Sequence, residues 1–265
     1  MNMLICLGLV WLVMILVMCA GWAWQRKRHN AGIVDVLWSA GIGLAAIVLG
    51  WQGHGSTLAR TTVAIAGSLW STRLAWHLWR RVRNESEDGR YRYLREHWGG
   101  HQGWFFAFFQ GQALLVPFFA LPFAAAASQP GPDISLAWVL AIATWIASVV
   151  GESLADRQLA RFRQQSVNRG RTCRDGLWRY SRHPNYFFEW LHWFTYVALA
   201  WGAPLGWLAW TGPVLMFVFL RWISGIPFTE AQALRHRGDD YRQYQQTTSM
   251  LIPWFPKTPR TRIPS

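Results

Sequence analysis

The sequence is poor in acidic residues and in lysine. Only 13 of its 265 residues are Asp or Glu, and the 26 basic residues comprise 24 Arg and 2 Lys. Charged residues make up 15% of the chain, whereas hydrophobic residues make up 52%, and 20 residues are Trp. Since soluble domains carry about a quarter charged residues, this composition argues against a soluble globular protein and favours one embedded in a membrane.

Cysteine is also scarce, and no metal-binding spacing is present. Cys6 and Cys19 fall within one apolar stretch, and Cys173 lies alone in a polar segment. The chain has no C-x-x-C pair and no His/Cys cluster with zinc spacing. We therefore expect neither a disulfide nor a metal site.

The signatures of soluble nucleotide-binding folds are missing as well. The chain contains no G-x-G-x-x-G after a strand, no G-x-x-x-x-G-K-[ST] and no G-x-S-x-G elbow. These absences argue against a Rossmann fold, a P-loop and a serine hydrolase. If a nucleotide binds, loops and helix ends must hold it.

Long apolar runs dominate the chain, and a helix needs about 20 such residues to cross a bilayer. They predict an all-α, polytopic membrane protein with seven transmembrane helices. The second run is short, and the sixth contains Glu189 and His192, so six spans with one re-entrant segment are the alternative. The predicted spans cover approximately residues 3–24, 33–51, 61–79, 103–127, 134–154, 183–200 and 206–226.

Basic residues are concentrated in every second connection between the predicted helices. Four segments hold 23 of the 26 Lys and Arg, and these are residues 26–28, 80–95, 157–182 and 235–262. The intervening segments 52–59, 128–133 and 201–205 hold none. Because Lys and Arg mark the cytoplasmic side, we predict an external N-terminus, seven crossings and a cytoplasmic C-terminus. The basic cluster follows the first run instead of preceding it, so we interpret that run as a retained helix and not as a signal peptide.

The net charge of +13 has an ordinary explanation in topology and in anionic lipid headgroups. Arg residues divided among loops between membrane helices make a poor nucleic-acid surface, so we expect no nucleic-acid partner. The preference for Arg over Lys has two explanations. Guanidinium groups bind phosphates bidentately, which favours a phosphorylated ligand, and a biased genomic base composition produces the same skew.

Residues 172–193 combine positive charge with an apolar, aromatic run. Three arginines in the first half suit an anion at a water boundary, and they are Arg174, Arg179 and Arg182. His183 precedes Pro184, which suits the first turn of a helix, where free N–H groups favour anions. Glu189 enters the apolar run, where an ionisable group is costly and is a functional candidate.

The same segment carries a family resemblance. G-L-W-R-Y-S-R-H-P-N-Y-F-F-E-W at 176–190 and D-D-Y-R-Q-Y-Q-Q-T-T-S-M-L-I-P-W at 239–254 resemble the C-terminal region of the steroid 5-alpha-reductase family, particularly its bacterial DUF1295-type branch. R-H-P-N-Y is also similar to sterol C14 and delta-7 reductases, and R-H-P-x-Y to isoprenylcysteine carboxyl methyltransferases. The resemblance covers about residues 150–256. R-L-A-W-H-L and E-D-G-R-Y-R-Y extend the resemblance to the bacterial branch into the N-terminal half.

The reductase resemblance implies a seven-helix membrane enzyme that uses NADPH to reduce the C4–C5 double bond of a 3-oxo-4-ene steroid. Eight Arg between 155 and 182 match the need for cationic donors to the 2′-phosphate and pyrophosphate. The cofactor-binding residues expected from the family motifs and the charged segment are Asp156, Arg163, Arg171, Arg174, Tyr180, His183, Asn185 and Tyr241.

The implied reaction also requires a donor for the ketone oxygen. Hydride transfer to the β-carbon of an enone places negative charge there, and a protonated carboxylic acid in an apolar site can stabilise it. The family uses a Glu and a Tyr. Asp35 is our candidate for the acid. The family Tyr lies three residues before an Arg, and if that Arg corresponds to Arg73, Trp70 stands at the Tyr position. Either His77 or Glu189 would then complete the catalytic site, or the substrate is not a steroid.

Two other classes remain open. R-H-P-x-Y alone favours an S-adenosylmethionine-dependent membrane methyltransferase, and the third possibility is a non-enzymatic transporter or lipid-binding protein. We expect a monomer with a steroid or other isoprenoid-derived lipid substrate, in the inner membrane of a prokaryote or the endoplasmic reticulum of a eukaryote. Within one membrane domain, residues 1–127 would form the substrate side, 134–256 the cofactor-binding part and 257–265 a tail.

Overall fold

A computed structural model describes residues 2–131 and 135–258. Within these residues the structure is helical, with no strand beyond an isolated parallel bridge between Ser181 and Ser249. The all-α prediction is therefore confirmed. The predicted start of the fifth span, at residue 134, lies outside the described residues, as does most of the predicted tail. The α-helices are α1 (Met3–Arg28), α2 (Ile33–Gln52), α3 (Thr57–Asn84), α4 (Gly89–His97), α5 (Gln102–Ala126), α6 (Leu136–Gln164), α7 (Pro184–Leu199), α8 (Thr211–Val218), α9 (Ile226–Arg237) and α10 (Asp239–Thr247).

The first helix has clear start and stop signals. The Asn2 side chain accepts a hydrogen bond from the Leu4 N–H (3.0 Å), which caps α1. At the other end His29 adopts a left-handed conformation (φ 52°) after three basic residues in the last turn. Those cations face the negative end of the helix dipole, so the basic cluster used for topology also stabilises the end of α1.

Five helical segments of the described residues are long and apolar enough to cross a membrane. They are α1, α2, α5, α6 and the run Gly206–Arg237, which joins α8 and α9 through a π-helical turn at Phe219–Ile223. They correspond to the first, second, fourth, fifth and seventh predicted spans. The chain therefore has the helices of a multi-pass membrane protein.

The structure does not confirm the other two of the seven predicted spans. α3 has 28 residues, but Arg60, Arg73, Arg81 and other basic residues along it reduce its hydropathy. α7 has 16 residues, about 24 Å at 1.5 Å per residue, which is shorter than the hydrocarbon core of about 30 Å.

The described chain forms two compact units. The first comprises Met1–Ile142 and Trp193–Leu215, and the second comprises Ala143–His192 and Met216–Ser265. In the first unit α2 packs closely along α3. A Cβ atom on Gly67 would collide with the Ala46 side chain, and one on Gly43 would lie 2.7 Å from Ser71 Oγ. Small residues at this crossing allow the two backbones to approach each other, as is common in membrane helices.

An aromatic cluster occupies the core of the first unit. Trp193 contacts Trp70, Phe119 and Phe123, with ring centroids 5.9, 5.1 and 5.8 Å away, and Phe123 contacts Tyr196 at 4.6 Å. Trp70 is fully buried. Trp70 thus fills space in an aromatic core.

In the second unit the chain beyond α10 is held in place. We call residues 249–258 the C-terminal strap. The Arg182 N–H donates to the Ser249 carbonyl (2.8 Å), the Trp254 N–H to the Tyr180 carbonyl (2.9 Å), and the Ser181 hydroxyl to the Leu251 carbonyl (2.7 Å). The strap therefore lies against the turn that precedes α7.

Candidate functional site

Residues 172–193 form a turn that packs against α6, followed by the start of α7. The turn is a 3₁₀ helix at Gly176–Arg179, and Gly176 has a φ of 58°, which favours glycine. The Leu177 N–H donates to Gln158 Oε1 (2.9 Å) and the Trp178 indole N–H to the Ala155 carbonyl (3.0 Å). Both acceptors are on α6. As predicted, α7 begins at Pro184.

Glu230, on α9, is the centre of the polar cluster at this motif. Its Oε1 accepts hydrogen bonds from Arg182 Nε at 2.7 Å and from Tyr241 Oη at 3.4 Å, and it lies 3.2 Å from His183 Nε2. Its Oε2 accepts one from Gln245 Nε2 at 2.8 Å. We refer to these five residues as the Glu230 cluster, and it joins the R-H-P motif to α9 and α10.

Arg182 has further partners that fix its orientation. Its Nη1 donates to the carbonyls of Gln245 and Thr248, both at 2.9 Å, at the end of α10. The Arg182 and Glu230 side chains are only 11% and 16% exposed. A fork-shaped guanidinium suits this combination of one carboxylate and two carbonyls, so Arg182 clamps α10 onto the motif.

Two tyrosines of α10 complete this side of the cluster. Burial and the negative charge of Glu230 raise the pKa of Tyr241 above its ordinary value. Burial also raises the pKa of Tyr244, whose hydroxyl donates to the carbonyls of Trp178 and Ser181. Both phenols therefore act as neutral donors. The structure brings the predicted residues His183 and Tyr241 together through Glu230.

A second polar group lies beside the start of α7. Asn185 Nδ2 is 3.5 Å from Asp156 Oδ1, which brings these two predicted residues together across α6 and α7. Tyr186 stacks on the His183 ring, with 5.4 Å between centroids and 8° between planes, and its hydroxyl lies 3.3 Å from Thr229 Oγ1. Carboxylate, amide, hydroxyl and flat aromatic surface are therefore clustered at one helix start.

Two adjoining grooves run between the 3₁₀ turn and the strap. One has a volume of about 420 Å³ and includes Arg174 and Arg179, and the other has about 380 Å³ and includes Arg182 and Lys257. They share Thr247 and Thr248. Arg174 also pairs with Asp240 (2.8 Å).

Three other predicted cofactor residues are on exposed surface. Arg163, Arg171 and Tyr180 are exposed, and the Tyr180 ring meets the Phe255 ring of the strap edge to face at 6.2 Å. A basic segment between membrane helices has a sufficient role in topology. Their assignment to a cofactor stays a prediction.

Asp35 lies in a different polar cluster, in the first unit. Its carboxylate accepts hydrogen bonds from Arg90 Nη2 and Tyr91 Oη, both at 2.6 Å. Burial is the largest contribution raising the pKa of Tyr91, and the nearby Asp35 carboxylate adds to it. Asp35 is thus held in an ion pair with Arg90, and its role as the catalytic acid stays a prediction.

The other predicted catalytic residues are distributed between the units. His77 is half-buried on α3 in the first unit, and Glu189 is half-buried on α7 in the second. Their catalytic roles stay predictions. In residues 2–131 and 135–258, no three His, Cys, Asp or Glu residues are grouped closely enough to hold a metal ion.

Sequence reasoning gave Glu230 no functional role. The available signal was its position, because Glu230 is an isolated acid just after the last apolar run in a chain with twice as many basic as acidic residues. Its convergence with Arg182 could not be read from the sequence, since 48 positions separate the two residues.

These features are those of a multi-pass, all-helical membrane protein with a polar site at a helix start. The chain belongs to the family described as "Protein of unknown function (DUF1295)", which matches residues 21–248. This confirms the bacterial branch of the predicted resemblance, whereas the steroid 5-alpha-reductase assignment is not confirmed.

One stretch of the chain is similar to a protein named as a methyltransferase. Over 81 residues it is 33% identical to Methanethiol S-methyltransferase 1 of Bradyrhizobium diazoefficiens. The aligned stretch covers 29% of this chain and 25% of that protein. The match thus spans about a quarter of the relative's length. No solved structure matches the chain.

Proposed function

We propose that this protein is an S-adenosylmethionine-dependent membrane methyltransferase whose acceptor is a thiol. The similarity to Methanethiol S-methyltransferase 1 supports both the reaction class and the sulfur acceptor. R-H-P-N-Y at 182–186 fits the R-H-P-x-Y pattern of membrane methyltransferases. The similarity to a bacterial methyltransferase is the observation that supports this function over steroid reduction.

The charge balance of the motif also supports this proposal. Arg174 and Arg182 are each neutralised by an acid, Asp240 and Glu230 respectively. NADPH carries a pyrophosphate and a 2′-phosphate, which need several cationic donors. S-adenosylmethionine carries no phosphate, and a motif whose arginines already have carboxylate partners is better suited to it.

The polar groups at the start of α7 match the chemistry of the methyl donor. Asp156 offers a carboxylate for an ammonium group, Asn185 offers amide hydrogen bonds, and Tyr186 offers an aromatic face beside His183. Aromatic faces attract cations, including a sulfonium. When bound, the donor supplies an electrophilic methyl group. The residues of this chain bind and orient it, and the Glu230 cluster stabilises the start of α7, which carries Asn185 and Tyr186.

NADPH-dependent reduction of a 3-oxo-4-ene steroid is the second candidate, and the grooves favour it. Arg179 and Lys257 add positive charge to surfaces that already contain Arg174 and Arg182. A phosphate-bearing cofactor could use those groups. Binding measurements with S-adenosylmethionine and with NADPH separate the two functions directly.

The deciding experiment uses full-length protein purified in detergent. S-adenosylmethionine with a labelled methyl group is offered with methanethiol, a longer alkyl thiol or an isoprenylated cysteine, and labelled methylated product is measured. NADPH oxidation with progesterone is measured in parallel. We expect methylated thiol and no steroid-dependent NADPH oxidation, and steroid reduction without methyl transfer would overturn the proposal.

Two variants connect the activity to the site. Asp156→Asn should weaken donor binding at least several-fold while leaving thermal stability close to that of the parent protein, because it removes a charge from a half-buried position. Asp239→Asn is the matched control, since Asp239 is an exposed acid of the same unit that pairs with the neighbouring Arg242. Equal donor affinity in both variants would remove Asp156 from the site.

We also propose that the chain crosses the membrane seven times, with α3 and α7 as the additional spans. Connections that carry many Lys and Arg alternate with connections that contain neither, and this alternation supports seven crossings and an external N-terminus. In that arrangement the Glu230 cluster lies at the cytoplasmic boundary, where S-adenosylmethionine and NADPH are both available.

A further inference from the structure

The C-terminal strap exposes apolar side chains although it is not a membrane-spanning helix. Ile252, Trp254 and Phe255 are 54%, 67% and 75% exposed. Exposed apolar residues on α1 or α6 are explained by contact with lipid chains. The strap needs another explanation, because backbone hydrogen bonds to the turn before α7 hold it in place with these side chains exposed.

Positive charge lies directly beside these side chains. Lys257, Trp254 and Phe255 line the same groove, and Arg179 lines the adjoining one. Within the described residues neither the Arg179 guanidinium nor the Lys257 ammonium forms an ion pair, whereas Arg174 and Arg182 do. Asp175 is the acid among the lining residues of the two grooves, so the local charge is positive.

The combination defines the chemistry of the occupant. Trp at the level of lipid headgroups anchors proteins to the membrane interface, and Lys or Arg beside it attracts anionic lipids. A soluble phosphate would use the cations but would have no use for three exposed apolar side chains. A phospholipid uses both, because its phosphate and its acyl chains are joined in one molecule.

We propose that the strap lies in the membrane interface and that Arg179 and Lys257 bind the phosphate of an anionic phospholipid. Trp254 and Phe255 then contact the upper acyl chains of the same lipid. The shared Thr247 and Thr248 hydroxyls are additional donors at the junction of the grooves. This site is separate from the residues proposed to hold the methyl donor.

The test uses native mass spectrometry of the full-length protein with phosphatidylglycerol or phosphatidylcholine. We expect preferential retention of phosphatidylglycerol. The double variant Arg179→Gln/Lys257→Gln should lose that preference, with affinity falling about fivefold for each charge removed. The double variant Arg235→Gln/Arg242→Gln removes the same charge from exposed positions outside both grooves and should retain the preference.

A second measurement locates the strap. A bimane probe on Phe255→Cys, with Cys6 and Cys19 replaced by Ala and Cys173 by Ser, is placed in nanodiscs that contain brominated phospholipids. Quenching by bromine near the carbonyl end of the acyl chain is expected, and an unquenched probe would overturn the proposal. It is also overturned if pyrophosphate or NADPH, but not phosphatidylglycerol, binds in a manner that depends on Arg179 and Lys257. Methyl transfer in detergent is measured independently, so the two proposals can fail separately.

Discussion

At the scale of single residues, carboxylates determine how the polar clusters are organised. Glu230 and Asp35 each accept hydrogen bonds from an Arg and a Tyr. In a chain with 13 acids and 26 basic residues, an acid at a helix boundary readily finds a cation. A lone acid in an apolar sequence is thus ambiguous, since a structural ion pair and a catalytic group have the same sequence signature.

The Asp35 pair provides a residue-scale prediction. Asp35→Asn and Arg90→Gln should each destabilise the protein, and their effects should be coupled by about 1 to 3 kcal/mol, since the two side chains are 31% and 23% exposed. A double-mutant cycle by thermal unfolding in detergent measures this coupling. The exposed pair Asp239 and Arg242 is the control and should show little coupling.

The same variants test the catalytic-acid prediction. If Asp35 has a structural role, Asp35→Asn protein that remains folded should keep its turnover. Loss of turnover with unchanged stability and donor affinity would restore Asp35 as a catalytic candidate.

Tyr241 provides a pH-dependent prediction. Since its pKa is raised above 10.0 in the folded protein, the native state holds the phenol proton more tightly than the unfolded chain does. The resulting stability is complete below a pH of about 10 and is lost as the pH rises towards the higher native pKa. Tyr241→Phe should therefore lose less stability in alkali than the parent protein. Tyr93→Phe, at a position 43% exposed, should behave like the parent in this comparison of melting temperatures.

At the scale of elements, small residues decide how closely two helices approach. α2 and α3 approach each other closely at Gly67 and Gly43. α3 carries many Arg, and its contact with the strongly apolar α2 partly compensates for its low hydropathy. The hydropathy of α3 alone therefore does not reveal its close packing against α2.

Gly67→Ala tests that contact. The added methyl group would collide with Ala46, which should cost about 1 to 3 kcal/mol of stability through overpacking. Gly8→Ala on α1 is the matched control, because no atom lies within 4 Å of the added Cβ, and it should be neutral or slightly stabilising. Equal melting temperatures for the two variants in detergent would show that α2 and α3 are not in close contact.

At the scale of the whole molecule, the number of crossings determines which connections face the cytoplasm. Seven crossings place the N-terminus outside and residues 165–175 inside. If α3 and α7 did not span the membrane and the N-terminus were still outside, residues 165–175 would lie outside. The five apolar segments leave this number open, because hydropathy and length do not capture stabilisation by neighbouring helices.

Reporter insertions measure the topology. We expect a cytoplasmic reporter to be active when inserted at residues 86, 169 or 258, and a reporter that requires export to be active when inserted at residues 54, 130 or 203. Activity of the cytoplasmic reporter at both 54 and 86 would show that α3 does not span the membrane. The insertion at 169 also tests whether the motif before α7 faces the methyl donor.

The sequence alone determined the helical class, the membrane location of the apolar runs, the position of Pro184 at a helix start and membership of the DUF1295-type branch. These properties depend on composition, periodicity and contiguous motifs, which are local. Tertiary structure decided the partners. It joined Arg182 to Glu230, Asn185 to Asp156 and Asp35 to Arg90, and it fixed the strap against the turn before α7. Such pairings link positions far apart in the chain, and in an Arg-rich sequence each acid has many possible partners. Only packing of the helices selects one of them.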